Sequence, residues 1–215
     1  MFGYHLTTCE LAQIHLADTD LCGGKYSGFM SGFCNAKGVN LIADAIRVST
    51  LLTSVDIGYN SISLETALKL VAIFNEKPVV FVGLADCHLG SEGARAVADH
   101  IQASASLTDI DLSDNNLTKH GKDMSGIEVM ASAIRVNASL RSMNLVKNDI
   151  DDATASLLLG MKEEKHSLVS FCGLKLDAAR ASFWSGLTQS DAKLLAPEIA
   201  PEALADEHRS CTESD

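Results

Sequence analysis

The sequence predicts an α/β solenoid in which a short strand and a helix alternate through a stack of similar units. Three observations carry that prediction. One spacing of apolar residues recurs five times along the chain. Between recurrences the apolar residues change to helical periodicity. Aromatic residues make up only 5% of the 215 residues, so the core must be built of aliphatic side chains in thin layers rather than around one bulky centre.

The recurring spacing is L-x-x-L-x-L-x-x-N-x-L. It is met at every fixed position by Leu52 to Ile62, by Leu107 to Leu117 and by Leu140 to Ile150. Val79 to Leu89 meets it with Cys87 at the Asn position, and Leu11 to Leu21 with Thr19 there. The alternation within L-x-L is that of a strand buried on one face. The Asn, Cys or Thr that follows stands where the chain leaves the strand. A small polar side chain there can bond turn backbone that would otherwise be buried unpaired. Starts at 11, 52, 79, 107 and 140 are separated by 41, 27, 28 and 33 residues. The basic unit is therefore near 28, with insertions at 22–35, rich in Gly and Ser, and at 118–126.

The return segments read as helices. Ala94, Val97, Ala98 and Ile101 share one helical face. So do Leu41, Ile42, Ala45 and Ile46; Leu64, Leu68, Val71 and Ala72; Val129, Met130, Ala133 and Ile134; and Ala155, Leu158 and Leu159. Ser91 with Glu92 is the expected start of the third helix.

A 28-residue unit with a full helix resembles the ribonuclease-inhibitor-like class of leucine-rich repeats. The phrase Ala133-Ile134-Arg135-Val136-Asn137-Ala138-Ser139-Leu140 is similar to the end of that class's helix. The resemblance spans roughly 11 to 175. It implies a curved horseshoe with a parallel β-sheet on the concave face and α-helices on the convex face.

Residues 1–175 are read as the repeats, with a sixth, decayed strand starting near 168. Residues 176–199 are read as a degenerate repeat or cap, its strand near Ala181–Leu187 and its helix around Ala192–Ala196. Phe183 and Trp184 are expected to close the open end of the core, since a solenoid needs a cap. Residues 200–215 read as an acidic tail.

The formal net charge is −11. This opposes binding to nucleic acid, whose phosphates recruit Lys and Arg, and to an anionic membrane surface. No apolar run reaches the roughly 18 residues of a membrane span. The first 16 residues lack a basic stretch followed by an apolar one, so no signal peptide is expected. Six scattered cysteines then read as reduced thiols of a cytoplasmic chain.

In the horseshoe the strand positions between the fixed leucines face the concave side, and partner-binding residues are expected among them. They are His15 and Asp18; Asp56 and Tyr59; Phe81 and Asp86; Asp109, Asp111 and Asp114; Asn144 and Lys147. Gly58, Gly83, Ala85, Ser113 and Val146 fall in the same series. The aspartates would form an acidic face, with Tyr59 and Phe81 as neighbouring aromatic anchors within it. His88 and His100 are expected to face solvent.

Asp109-x-Asp111-x-x-Asp114 lacks the Gly and closing Glu of a calcium loop. Walker, G-x-S-x-G and H-E-x-x-H signatures are absent, so no cofactor, metal or catalytic residue is expected. The sequence thus reads as a scaffold or adaptor that binds a protein partner, of basic charge, on its concave face. The alternatives are a regulator of an enzyme, such as a small-GTPase-activating protein using Arg141 and Asn144, and a fragment of an intracellular repeat receptor or axonemal scaffold.

Overall fold

The computed structural model describes residues 11–21, 36–173 and 187–199. Five strands alternate with helices: β1 (Gln13–His15), α1 (Ala36–Val48), β2 (Ser54–Asp56), α2 (Leu64–Phe74), β3 (Phe81–Gly83), α3 (Gly90–Ala103), β4 (Asp109–Asp111), α4 (Ser125–Val136), β5 (Ser142–Asn144), α5 (Asp152–Glu164) and α6 (Gln189–Ile199). The strands form one parallel sheet in chain order. Neighbouring strands lie about 4.8 Å apart, whereas packed helices need 8–10 Å. A stack of such units therefore curves, with the sheet inside and the helices outside.

The core is the layer between sheet and helices. Leu52, Val55, Ile57 and Ile62 of one unit are essentially inaccessible, as are Leu107, Ile110, Leu112 and Leu117 two units on. The fixed apolar residues of the second to fifth units are thus core, whereas in the first unit Leu11 is exposed and Ile14, Leu16 and Leu21 are partly buried. Small residues set the helix spacing. A Cβ on Gly126 would lie 2.7 Å from the Cβ of Ala94, so α3 and α4 approach closely there.

The turn after each strand is held by the pattern's polar residue. Asn115 is fully enclosed. Its Oδ1 accepts from the backbone N–H of Cys87 (2.9 Å) and Leu89 (3.2 Å), and its Nδ2 donates to the carbonyls of Leu84, Leu112 and Ser113. Asn148 repeats this one unit later, accepting from Asn115 and Leu117 and donating to Leu112, Leu145 and Val146. Asn60 accepts from Leu21 and donates to Leu16, Ile57 and Gly58. Each asparagine thus ties its own turn to the preceding one. Cys87 makes only the donating half, from Sγ to the carbonyls of Ala85 and Ile57. Burial, followed by the carboxylates of Asp86, Asp56 and Asp111, pushes its thiol far above the ordinary value, so it stays protonated. Thr19 reaches only the carbonyl of Leu16 in its own turn and the side chain of Asn60.

Several local expectations are corrected. In α1 the buried residues are Val39, Ala43 and Ile46, while Leu41 and Ala45 are exposed. In α4 the buried face is Ile127, Met130, Ala131, Ala133 and Ile134, with Val129 outside. Ala72 is exposed too. Apolar residues stand on both sides of each boundary, so the apolar stripe alone does not fix the edge of the buried face. Helix α3 starts at Gly90, with no side-chain cap, whereas Ser63 and Asp151 cap α2 and α5 by accepting from Thr66 and Thr154.

His100, expected in solvent, is buried between units. Its Nδ1 lies 2.6 Å from Asn75 Oδ1, its Nε2 has no hydrogen-bond partner, and its ring tilts against Phe74. Burial lowers its pKa to about 4.

The sixth strand reduces to two isolated bridges, Ser142 to Ser170 and Asn144 to Cys172. Helix α6 packs beside α5 and finishes that edge. Glu198 accepts from the Phe171 N–H and the Ser170 hydroxyl, both at 2.7 Å, and pairs with Lys162. Asp191 accepts from the Lys147 N–H and from Thr188. Phe183, Trp184, the insertion 22–35, the strand near Ala181–Leu187 up to residue 186 and the tail 200–215 lie outside the described residues.

Two outcomes follow from these contacts. Asn115→Ala leaves buried backbone groups of two successive turns unpaired and should cost about 3 kcal/mol, read as a lower urea midpoint. His100 has a depressed folded pKa, so it takes up its proton preferentially in the unfolded chain. Its contribution is therefore complete above the unfolded value near 6.5 and is lost as pH falls from there towards 4. The loss should reach about 2 kcal/mol by pH 5. His100→Gln, which can still donate to Asn75, should flatten that part of the stability–pH curve; an unchanged slope would refute the assignment.

Candidate functional site

The sheet leaves three-residue strands whose middle side chain points to the core and whose outer two point away from it. Two rows of side chains therefore cross the open face. At the strand entry the row is Gln13, Ser54, Phe81, Asp109 and Ser142. At the strand exit it is His15, Asp56, Gly83, Asp111 and Asn144.

The exit row is a connected polar line. His15 Nδ1 lies 3.0 Å from Asp56 Oδ2. Asp56 Oδ1 accepts from the Gly58 N–H. This carboxylate leans over Gly83, where a Cβ would meet Asp56 Oδ1 at 2.4 Å. The missing side chain thus lets Asp56 reach across β3 towards Asp111. Asp111 Oδ1 accepts from the N–H and hydroxyl of Ser113. Burial raises the Asp111 pKa, the hydrogen bonds of Ser113 and Asn144 oppose that, and the Asp56 charge adds to the rise.

Beyond the strands the chain turns, and the alternation ends. Gly58, Ala85, Ser113 and Val146, expected on the open face, are buried, because the backbone has already bent towards the core at these positions. The next residues stand out as a rim. Asp18, Tyr59, Asp86, Asp114 and Lys147 all have positive φ, between 48° and 61°. Asp20, Ser61, His88, Asn116 and Asp149 form a second such set two residues on. Aspartate and asparagine tolerate this conformation better than most residues, whereas for a tyrosine it is uncommon.

Tyr59 and Phe81 are not neighbours. Phe81 stands beside Ser54 and Asp109 at the strand entry. Tyr59 lies at the other end, its N–H donating to the Ala85 carbonyl at 2.6 Å. Phe81 is half-buried and Tyr59 is 36% exposed. Burial raises the Tyr59 pKa, Ser113 opposes it, and the charges of Asp111, Asp114 and Asp86 raise it further. Lys147 Nζ is 3.8 Å from Asp114. Sequence reasoning missed the roles of Gly83 and Ser113. A glycine and a serine carry no signal until the register shows what stands beside them.

The face is strongly acidic. Its strands and turns carry Asp18, Asp20, Asp56, Asp86, Asp109, Asp111, Asp114 and Asp149 against Lys147, with Lys119 and Lys122 in the longer turn after β4 and Arg141 just before β5. The outer helices carry Arg47, Lys69, Arg95, Arg135, Lys162 and Lys193, together with carboxylates of their own. Among the described residues no group of three or more His, Cys, Asp or Glu is placed to hold a metal ion.

Residues 103–121 match the family model described as Leucine Rich repeat. The fold is that of a leucine-rich-repeat solenoid. Its fold is similar to that of the leiomodin-1 actin-binding site 2, at 18% identity and a TM-score of 0.51, covering 79% of this chain and 95% of that one. It is also similar to the tropomodulin C-terminal domain of Caenorhabditis elegans, at 16% identity and a TM-score of 0.55, covering 81% and 99%. At these identities the likeness is one of fold. No helix among the described residues of the leucine-rich repeat protein is long and apolar enough to cross a membrane.

Gly83→Val places a branched side chain where the Asp56 carboxylate now lies. It should cost about 2 kcal/mol and move the Asp56 carboxylate off β3. A urea midpoint and a crystal structure of the variant check the two effects.

Proposed function

We propose that this leucine-rich repeat protein is an interaction module that binds a basic protein partner on its concave sheet face, without catalysing a reaction. The observation that carries the reading is the excess of negative charge on this face. Carboxylates cross the sheet and its exit rim and outnumber the lysines and arginines there. Complementary potential steers a basic partner to that face and fixes its orientation. Phe81, half-buried beside Asp109, supplies apolar area within the acidic row, the arrangement expected of a contact that is desolvated on binding.

One of the two similar structures is an actin-binding site, which makes actin the first partner to test. Actin filaments are sedimented with the wild-type chain and with a Phe81→Ser/Asp109→Lys double variant. If actin does not retain the wild type, partners captured from native extract and identified by mass spectrometry take its place. The double variant should lose at least about tenfold in affinity while keeping its circular dichroism. Equal binding by the variant would remove the sheet face from the reading.

A further inference from the structure

We propose that the junction between the second and third units, where β2 and α2 meet β3 and α3, is a hinge about which the solenoid bends. The first two units move as one body against the third to fifth. This goes beyond the reading of the sheet face and does not depend on it.

Among the described residues, side chains tie each of the other junctions twice and this one neither time. The first set of ties lies at the strand exits. Asn60 Oδ1 accepts the Leu21 N–H across the first junction. Asn115 accepts those of Cys87 and Leu89 across the third, and Asn148 those of Asn115 and Leu117 across the fourth. At the second junction the position is Cys87. Its Sγ lies 3.4 Å from the Ala85 carbonyl of its own turn and 3.8 Å from that of Ile57. The N–H groups of Asn60 and Ile62, which an amide oxygen at position 87 would accept, have no acceptor among the described residues, and both residues are buried.

The second set lies at the helix ends, where a side-chain donor crosses to carbonyls of the preceding unit. Lys77 Nζ donates to Ser49, Asn137 Nδ2 to Ile101 and Ser104, and Lys165 Nζ to Ile134 and Asn137. Ser104 stands three residues before Leu107, as Asn137 stands before Leu140. Its Oγ accepts from the N–H groups of Ser106 and Leu107, just as Asn137 Oδ1 accepts from Ser139 and Leu140. A serine has no amide for the donating half, and among the described residues Ser104 makes no hydrogen bond to α2. A hollow of about 110 Å3 lies there instead, bordered by Phe74, Asn75, Lys77, His100, Ser104 and Ser106.

The helix side of this seam is thus joined by packing and by one polar contact, His100 Nδ1 on Asn75 Oδ1, with His100 Nε2 left unpartnered. In a stack whose units touch only their neighbours, the least-tied interface opens first. The sheet ladder persists across the seam and serves as the pivot. Asp56 leans over Gly83 towards Asp111, so bending here changes the spacing of two carboxylates on the open face.

Amide hydrogen exchange of the full chain tests the hinge on equivalent ladder bonds. Ile57 and Tyr59 donate to Gly83 and Ala85 across the second junction. Leu16 and Asp18 donate to Asp56 and Gly58 across the first, and Leu84 and Asp86 to Asp111 and Ser113 across the third. Ile57 and Tyr59 should exchange at least about tenfold faster than either other pair. Cys87→Asn combined with Ser104→Asn supplies both missing amides and should slow Ile57 and Tyr59 about tenfold while leaving Leu84 and Asp86 unchanged. Ser104→Asn alone, placed against the hollow, should slow them about threefold and serves where the double variant has lost its thermal transition. Protection that falls steadily towards β1 describes a fraying end and overturns the hinge. Rapid exchange at Ile57 and Tyr59 that neither variant slows overturns it as well.

Discussion

The fold depends on what happens to the backbone as it leaves each strand. A three-residue strand is too short to satisfy the turn that follows it, and the turn is pressed between layers where water cannot serve. Asn60, Asn115 and Asn148 resolve this by offering an acceptor and two donors to backbone groups of two successive units. A buried amide that is fully bonded costs little, whereas the groups it serves would be costly left alone. Because each asparagine binds its own turn and the one before, the units cannot twist or slide independently. The repeat spacing is therefore a hydrogen-bonding requirement as much as a packing one.

That requirement also shapes the surface. Holding the turn around the pattern's polar residue, whether Thr19, Cys87 or Asn115, places the residues on either side of it in left-handed backbone, which is why Asp18 and Asp20, Asp86 and His88, and Asp114 and Asn116 occur in pairs. Aspartate and asparagine are favoured there for backbone reasons. Part of the acidity of the rim is thus a by-product of turn geometry. The strand aspartates Asp56, Asp109 and Asp111 have no such excuse, since extended backbone disfavours aspartate. Tyr59 and Lys147 go against the preference on the rim. Residues that oppose local propensity are those a binding surface has reason to keep.

The solenoid was legible in the sequence because it rests on period and on one polar position, both of which are explicit in the letters. All five strands fall within the L-x-x-L-x-L stretches, and the fixed apolar residues of the second to fifth units line the core. Helix faces were less legible. In Leu41 to Val48 nearly every residue is apolar or small, and only packing against α2 decides that Val39, Ala43 and Ile46 go inward. His100 shows the same limit, since a histidine on a helix reads as polar until a neighbouring Asn75 and Phe74 enclose it. The open face was half legible. The alternation correctly put Asp56, Asp109 and Asp111 on it, then was carried past Asp56 and Asp111 into turns where it no longer holds. Register corrected the distance between Tyr59 and Phe81, because separation along a stack is invisible to a single unit's pattern.

The β5 edge of the sheet is finished by a helix. At β5 the exposed ladder meets α6, and Glu198 takes the Phe171 N–H that a further strand would otherwise accept. Asp191 does the same for Lys147. Both are acidic side chains acting as backbone acceptors, buried at the price of a partner for one of them, Lys162. A helix placed across an edge in this way prevents another chain from adding a strand there. It also fixes Lys147, whose N–H is held by Asp191 while its ammonium reaches Asp114. The cap therefore sets the position of the rim's one lysine. The far end of the acidic rim is neutralised by the element that closes the array, and the excess of negative charge is left on the side of β1 to β4.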